Sequence, residues 1–171
     1  LDAFCNSGGF GMHAAKAGAG YVTFLDSSKS EIENAEKNFA LNELASETDY
    51  IVMDVFEYLQ KCIDAGRTFD VVMIDPPAFA KSRKSIPAGL KGYAKLNKMA
   101  ASCVGVNGYL VTSSCSHHIS QEDFLEAVIS GAAKADRKLQ QVRFNSASLD
   151  HPSIPGMNET TYLKFAVFKV I

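Results

Sequence analysis

Two short stretches of the chain carry side chains able to do chemistry. Asp75-Pro76-Pro77-Ala78-Phe79 sets a carboxylate ahead of two prolines, and Cys115 stands forty residues after Asp75, in Thr112-Ser113-Ser114-Cys115-Ser116. Each proline fixes its own φ and restricts the residue before it, so Asp75 is held rather than mobile. Pro76 and Pro77 form a rigid wall beside a planar base, and Phe79 offers a ring on which that base can stack. The Asp75 stretch alone fits two chemistries. Asp75 and a proline carbonyl can hold an exocyclic amine for N-methylation, or Asp75 can steady N3 of a cytosine while a thiolate attacks the ring. Cys115 favours the second. Carbon 5 of cytosine is a poor nucleophile, and thiolate addition at carbon 6 makes it enamine-like, so that it can take a methyl group. A base then removes the carbon 5 proton and the thiolate leaves. An ordinary thiol has a pKa of about 8.5, so such a site must favour the thiolate.

A methyl donor must then sit in the first half of the chain. Asn6-Ser7-Gly8-Gly9-Phe10-Gly11 follows a first strand and opens a helix, an arrangement in which glycines admit a ligand close to the backbone and the helix N-terminus favours an anionic group. Asp26, followed by Ser27, ends the next strand and can accept hydrogen bonds from two ribose hydroxyls. Asp54 ends the third and can accept one from an adenine amine, with Val55 and Phe56 packing on the ring. Gly9, Gly11 and Ala14 also satisfy the dinucleotide pattern G-x-G-x-x-G/A, with Asp26 near the distance expected of a ribose carboxylate. This loop alone does not separate a nicotinamide cofactor from S-adenosylmethionine. Asp75-Pro76-Pro77 and Cys115 decide for the latter, because neither has an evident role in hydride transfer. The remaining readings are a nicotinamide-dependent oxidoreductase and a cofactor-binding module without catalysis.

The elements that must position these residues alternate. Strands are expected at Val22–Leu25, Tyr50–Met53, Phe69–Ile74, Tyr109–Ser113, Leu139–Phe144 and Tyr162–Ile171, after a first strand whose tail is Leu1 to Phe4. Helices are expected from Ser28 to about Asn42, over Val55–Ala65, Tyr93–Val104 and Glu122–Ala135, with a loop over residues 78–90. Alternation of this kind predicts an α/β fold, a Rossmann-like, mostly parallel sheet with helices on both faces. With no helix expected between Phe144 and Tyr162, the last strand is expected to run antiparallel. Asp26, Asp54, Asp75 and Cys115 all fall at carboxyl ends of expected strands, where such sheets bind ligands.

The chain of 171 residues is expected to form one domain over 1–171. Its abrupt opening at Leu1 reads as the tail of a strand and so as a fragment, with an N-terminal segment expected before it. No apolar run reaches transmembrane length. The four cysteines show neither metal nor redox spacing, and reduced thiols in a cytoplasmic protein are expected. Charge is uneven along the chain. Residues 1–75 hold five basic and thirteen acidic side chains, whereas residues 76–121 hold Lys81, Arg83, Lys84, Lys91, Lys95 and Lys98 and no acid. A basic block between the two chemical motifs suits a polyanion. His117 and His118 are expected on a surface turn, His13 on the first helix, and His151 in a loop that approaches the substrate. Four scattered histidines imply no zinc site.

In these residues the chain resembles the catalytic domain of the class I S-adenosylmethionine-dependent methyltransferases that make 5-methylcytosine in large-subunit ribosomal RNA. The resemblance rests on Asp2-Ala3-Phe4-Cys5-Asn6-Ser7-Gly8-Gly9-Phe10, Asp75-Pro76-Pro77-Ala78-Phe79, Gly92-Tyr93 with Asn97, Ser114-Cys115-Ser116, Asp150-His151-Pro152 and Tyr162-Leu163-Lys164, in that order along nearly the whole chain. It implies a seven-stranded methyltransferase fold, with Phe4, Asn6, Ser7, Gly8, Gly9, Phe10, Asp26, Ser27, Asp54, Val55 and Asp75 at S-adenosylmethionine. It implies Cys115 as nucleophile, with Pro76, Pro77, Phe79, Lys81, Arg83, Tyr93 and His151 toward an RNA substrate. Ribosomal RNA is then the partner, with no membrane and no metal, and a homodimer as the assembly open to it. Members of that family usually carry an N-terminal RNA-binding module of the PUA type, which is not seen in this chain. Related sequences with Asp-Pro-Pro-x-Phe and no such cysteine methylate purine nitrogens, and Cys115 argues against that chemistry here.

Overall fold

Three helices are fixed at their starts by side chains that the sequence places there. Ser28 accepts the Glu31 amide at 3.4 Å and opens α2 (Lys29–Leu41), Asp54 accepts the Glu57 amide at 3.1 Å and opens α3 (Val55–Asp64), and Ser120 accepts the Asp123 amide at 3.0 Å and opens α5 (Gln121–Ala133). Such caps satisfy amides that have no partner inside the helix. The computed structural model describes residues 1–148, 151–154, 156–157 and 160–171. The remaining elements are β1 (Asp2–Ala3), α1 (Gly9–Lys16), β2 (Tyr21–Asp26), β3 (Glu47–Val52), β4 (Phe69–Ile74), α4 (Ile86–Ser102), β5 (Val104–Ser114), β6 (Leu139–Asn145) and β7 (Lys164–Val170).

The strands form one seven-stranded sheet in the order β3-β2-β1-β4-β5-β7-β6. The pairs β3–β2, β2–β1, β1–β4 and β4–β5 are parallel, and β7 runs antiparallel to both β5 and β6. Chain order reverses between β1 and β4, which puts the ligand crevice of such a sheet beyond their carboxyl ends. One face is covered by α3, α4 and α5 around Leu25, Leu59, Val72, Leu96, Leu110 and Phe168. The other carries α1 and α2 on a smaller cluster around Phe24, Ile32 and Phe39. Helix α3 shows why it docks as it does: Val55, Tyr58, Leu59 and Cys62 recur at helical spacing and are all buried. Helices α4 and α5 touch closely at Gly131, where a Cβ would lie 2.4 Å from the Ala94 carbonyl oxygen.

The expected loop over residues 78–90 is corrected. After a single 3-10 turn at Arg83–Ser85, α4 begins at Ile86, seven residues before the expected start. Pro87 and Gly89 were the reason to expect a loop. Pro87 occupies the first turn of the helix, where a missing N–H costs nothing. Gly89 is buried, with room only for a hydrogen against Ala80. Strand β5 begins five residues before the expected Tyr109, and Asn107-Gly108 lies within it as an irregularity with Asn107 at φ 62. Strand β3 begins three residues before the expected Tyr50, because at this sheet edge Glu47, Thr48 and Asp49 pair by backbone without an apolar pattern.

Candidate active site

The loop from β1 to α1 is built on left-handed residues. Phe4, Asn6 and Gly8 have φ of 60, 49 and 87. At Gly8 a side chain would also meet Ala35 Cβ at 3.0 Å. The loop is tied on both sides. Asp26 accepts the Asn6 amide at 3.1 Å and the Ser28 amide at 3.0 Å, so one carboxylate joins the ends of β1 and β2. Asn38 donates to the Ser7 carbonyl at 3.1 Å, and buried Asp2 accepts the Gly11 amide at 2.8 Å. Burial pushes the Asp2 carboxyl up to about 6, against the pull of that amide. Asn6, Gly9, Phe10 and Ser27 are exposed, and Phe4, Ser7 and Asp26 are half-buried. Asp26 and Asp54 each hold loop or helix amides and, with about four acceptor sites per carboxylate, keep capacity for a ligand.

The other half of the crevice comes from β4 and β5. The Asp75 amide donates to the Ala3 carbonyl at 3.3 Å, which sets Asp75 directly beside the β1 loop. Asp75 is exposed, and its carboxylate accepts a short hydrogen bond from the Ser113 hydroxyl. Cys115, half-buried, follows the end of β5. Burial pushes its thiol up, and the Asp75 charge pushes the same way. The Lys164 ammonium and the Ala78 and Cys115 amides oppose them. The two motifs, forty residues apart in the chain, thus meet across the end of the sheet.

A buried hydroxyl network braces this meeting point. The Tyr93 hydroxyl takes a hydrogen bond from Ser114 at 2.9 Å and lies 3.0 Å from the Ser116 hydroxyl. Ser116 Oγ also accepts the Ala80 amide at 3.3 Å. The residues on either side of Cys115 are therefore tied to one phenol, and through Ala80 to the end of the proline loop. Lys164, also buried, donates to the carbonyls of Ser116 and Ile119 at 2.8 and 2.9 Å.

Two of the expected contacts are corrected. Tyr93 has no exposed surface and holds the Cys115 turn from beneath, so it does not face a substrate. Val55 is 1% exposed and packs in the main core, so its side chain is not available to an adenine ring. Phe56 lies at the edge of that core, with the Lys95 ammonium 5.1 Å from its ring centre. Phe79 is half-buried against Tyr93, with ring centres 4.8 Å apart. Phe10 stacks on Phe165 of β7, with centres 6.1 Å apart. Pro76 is buried and Pro77 exposed.

The basic side chains Lys81, Arg83, Lys84, Lys91, Lys95 and Lys98 are all exposed, the last three at the spacing of one face of α4. His117 and His118 are exposed, and His117 stacks on Tyr162 at 4.4 Å. His151 is exposed, and Asp150 lies outside the described residues. Sequence reasoning passed over Lys164 as a site residue, although a signal existed. In β7 the buried positions alternate as Lys164, Ala166, Phe168 and Val170, so the charge stands in an inward-facing row.

The model of the family described as Conserved hypothetical protein 95 matches residues 1–112. That match takes in the β1 loop, Asp26, Asp54 and Asp75 and ends short of Cys115. Over 171 residues the chain is 35% identical to the ribosomal RNA large subunit methyltransferase I of Shewanella frigidimarina, covering 99% of this chain and 43% of the relative. Over 169 residues it is 38% identical to the ribosomal RNA large subunit methyltransferase of Deinococcus radiodurans, covering 98% of this chain and 41% of the relative. The chain thus spans less than half the length of these curated relatives. Among solved structures it is similar to SMU.776, assigned as a methyltransferase and crystallised with SAH, with a TM-score of 0.86 and 24% identity over 99% of this chain and 44% of that one. It is also similar to a SAM-dependent methyltransferase from Agrobacterium tumefaciens, with a TM-score of 0.71 and 21% identity over 99% of this chain and 55% of that one. At these identities the structural likeness establishes a Rossmann-like methyltransferase fold.

Proposed function

We propose that this chain, which belongs to the Conserved hypothetical protein 95 family, transfers a methyl group from S-adenosylmethionine to carbon 5 of a cytosine in large-subunit ribosomal RNA. One observation carries the reading: Asp75 and Cys115 meet at the switch point of the sheet, beside an open, left-handed loop that ends in a helix N-terminus. The residues fit S-adenosylmethionine. Gly9 leaves the backbone accessible, and Asp26 and Asp54 keep acceptor capacity toward ribose hydroxyls and an adenine amine. When bound, S-adenosylmethionine supplies an electrophilic methyl group.

The chain's own residues then do the following. Asp75 faces N3 of the cytosine and steadies it while the ring is attacked. The Cys115 thiolate adds to carbon 6, and the electron pair displaced toward N3 makes carbon 5 nucleophilic. After carbon 5 is methylated its proton leaves to a base, and the carbon–sulfur bond breaks to restore the thiolate. A base inside a duplex cannot reach this point, so the target is single-stranded or turned out of its stack, at a cost of a few kcal/mol. Exposed Lys81, Arg83 and the α4 lysines offset that cost by contacts to phosphate. Ribosomal RNA as substrate carries over from what the curated relatives are said to act on.

A second reading is methylation of a purine nitrogen held by Asp75 and the proline carbonyls. It is favoured by the Cys115 thiol, which burial and Asp75 hold toward its protonated form. Methyl transfer from labelled S-adenosylmethionine to unmodified ribosomal RNA, followed by nucleoside analysis, separates the two. The proposal expects label in 5-methylcytosine that disappears in Cys115→Ala. Label in a purine, unchanged in Cys115→Ala, overturns it.

A further inference from the structure

Lys164 is 5% exposed, at the start of β7, in a row otherwise made of Ala166, Phe168 and Val170. In the sheet it pairs with Ser114, the residue before Cys115. Its ammonium donates to the carbonyls of Ser116 and Ile119, which bracket the turn following Cys115. An ammonium has three N–H donors, and two are used here on neutral acceptors. Among the described residues no carboxylate lies within ion-pair range of it. A buried cation without a counter-charge is costly, and apolar residues of similar volume are often better tolerated at such a place. The cation therefore calls for a reason other than packing. The ionisable group it faces is Cys115.

We infer that Lys164 is a positioning residue for Cys115: its two carbonyl bonds hold the turn that presents the sulfur, and its charge is the counter-charge of the thiolate. The inference rests on Cys115 being the nucleophile. The sulfur is faced by Asp75 from the end of β4, the Ala78 amide from the proline loop, its own amide, and Lys164 from β7. His117 and His118 are exposed on the turn beyond, with His117 stacked on Tyr162. In the free protein burial and Asp75 keep the proton on sulfur. Once Asp75 is engaged by a base, Lys164 is the remaining charge and ionisation is favoured. The proton leaves to solvent, and the freed electron pair attacks.

The test is the pH profile of Cys115 alkylation by iodoacetamide in the full chain without RNA, followed by mass spectrometry of the Cys115 peptide. In this reaction a sulfur–carbon bond forms and iodide leaves. Lys164→Met is expected to raise the pH of half-maximal rate by about one unit, seen as roughly tenfold slower alkylation at a fixed pH below the midpoint. Lys164→Arg is expected to keep most of the wild-type profile. An unchanged midpoint in folded Lys164→Met overturns the inference. Asp75→Asn keeps the inference falsifiable even where Lys164 variants do not fold. Burial still acts on the sulfur there, but with the Asp75 charge gone Lys164 is the one charge facing it, so the midpoint is expected to fall below the wild-type value, and a midpoint that does not fall overturns the counter-charge. Methyl transfer plays no part in this readout. A chain that alkylates as expected yet methylates a purine without Cys115 therefore supports the pairing and overturns the proposed function.

Discussion

The Tyr93 hydroxyl is shared between Ser114 and Ser116, so the residues on both sides of Cys115 depend on one phenol. Tyr93→Phe keeps the ring against Phe79 and Phe124 and removes only that oxygen. The Ser114 and Ser116 oxygens keep the Ser116 and Ala80 amides, but the Ser114 hydroxyl proton loses its acceptor, at about 1–3 kcal/mol for the group left unsatisfied. The expected outcome is a urea midpoint lowered by a corresponding amount. Methyl-transfer kcat is expected to fall about tenfold, with KM for S-adenosylmethionine nearly unchanged, because the bonds lie under Cys115 and away from the β1 loop. At this scale the sequence made the reactive groups legible. A carboxylate before two prolines and a cysteine at a strand end are recognisable from type and spacing. It did not tell which way a side chain faces. Tyr93 and Val55 lie in the stretches expected, but point into the core. Lys164 could have been found, since its parity with Ala166, Phe168 and Val170 is readable along β7.

At the scale of elements, two junctions carry the site. The first is the contact of α4 with α5 at Gly131. Helix propensity favours Gly131→Ala by about 1 kcal/mol, yet the added Cβ would meet the Ala94 carbonyl at 2.4 Å, and overpacking of this kind costs about 1–3 kcal/mol. Net destabilisation by chemical denaturation is expected, since the obstacle is backbone. The second is the start of α1, held by Asp2. Its carboxyl is raised to about 6 in the fold, against about 3.9 in an unfolded chain. A raised carboxyl contributes stability that is fully present below about pH 4 and is lost as pH rises through 6. Asp2→Asn keeps an acceptor for the Gly11 amide and does not titrate. Its stability relative to wild type should therefore improve between pH 4 and 7, by up to about 3 kcal/mol, as read from urea midpoints across that range. The helix start at Ser28 was legible because capping is local. The early start of α4 was not, because Pro87 and Gly89 have the same composition in a loop as in a helix first turn that buries its glycine.

At the scale of the whole molecule, strand order brings a cofactor-type loop and a thiol to one crevice. The alternation of elements predicted such a sheet and its antiparallel last strand, and the observed order β3-β2-β1-β4-β5-β7-β6 agrees. The strand order itself was not readable from local pattern, since each strand's neighbours are distant in the chain. Basic side chains stand exposed before and within the 3-10 turn and along α4. Replacing Lys81, Arg83 and Lys84 by Ala should weaken single-stranded RNA binding and flatten its salt dependence. The slope of log K against log salt is expected to shrink by about 0.7 for each phosphate that the variant no longer neutralises. An unchanged slope would place the RNA elsewhere.

The covalent step is the centre of the account, and it is open to direct capture. RNA carrying 5-fluorocytosine at the target leaves no carbon 5 proton to remove after methylation, so the carbon–sulfur bond cannot break. Full-length protein incubated with this RNA and S-adenosylmethionine is expected to give a complex that survives denaturing electrophoresis, with the RNA fragment attached by mass spectrometry to the peptide containing Cys115. Cys115→Ala should give none. A wild-type protein that methylates ribosomal RNA yet forms no such adduct, or forms it through another residue, would contradict the account.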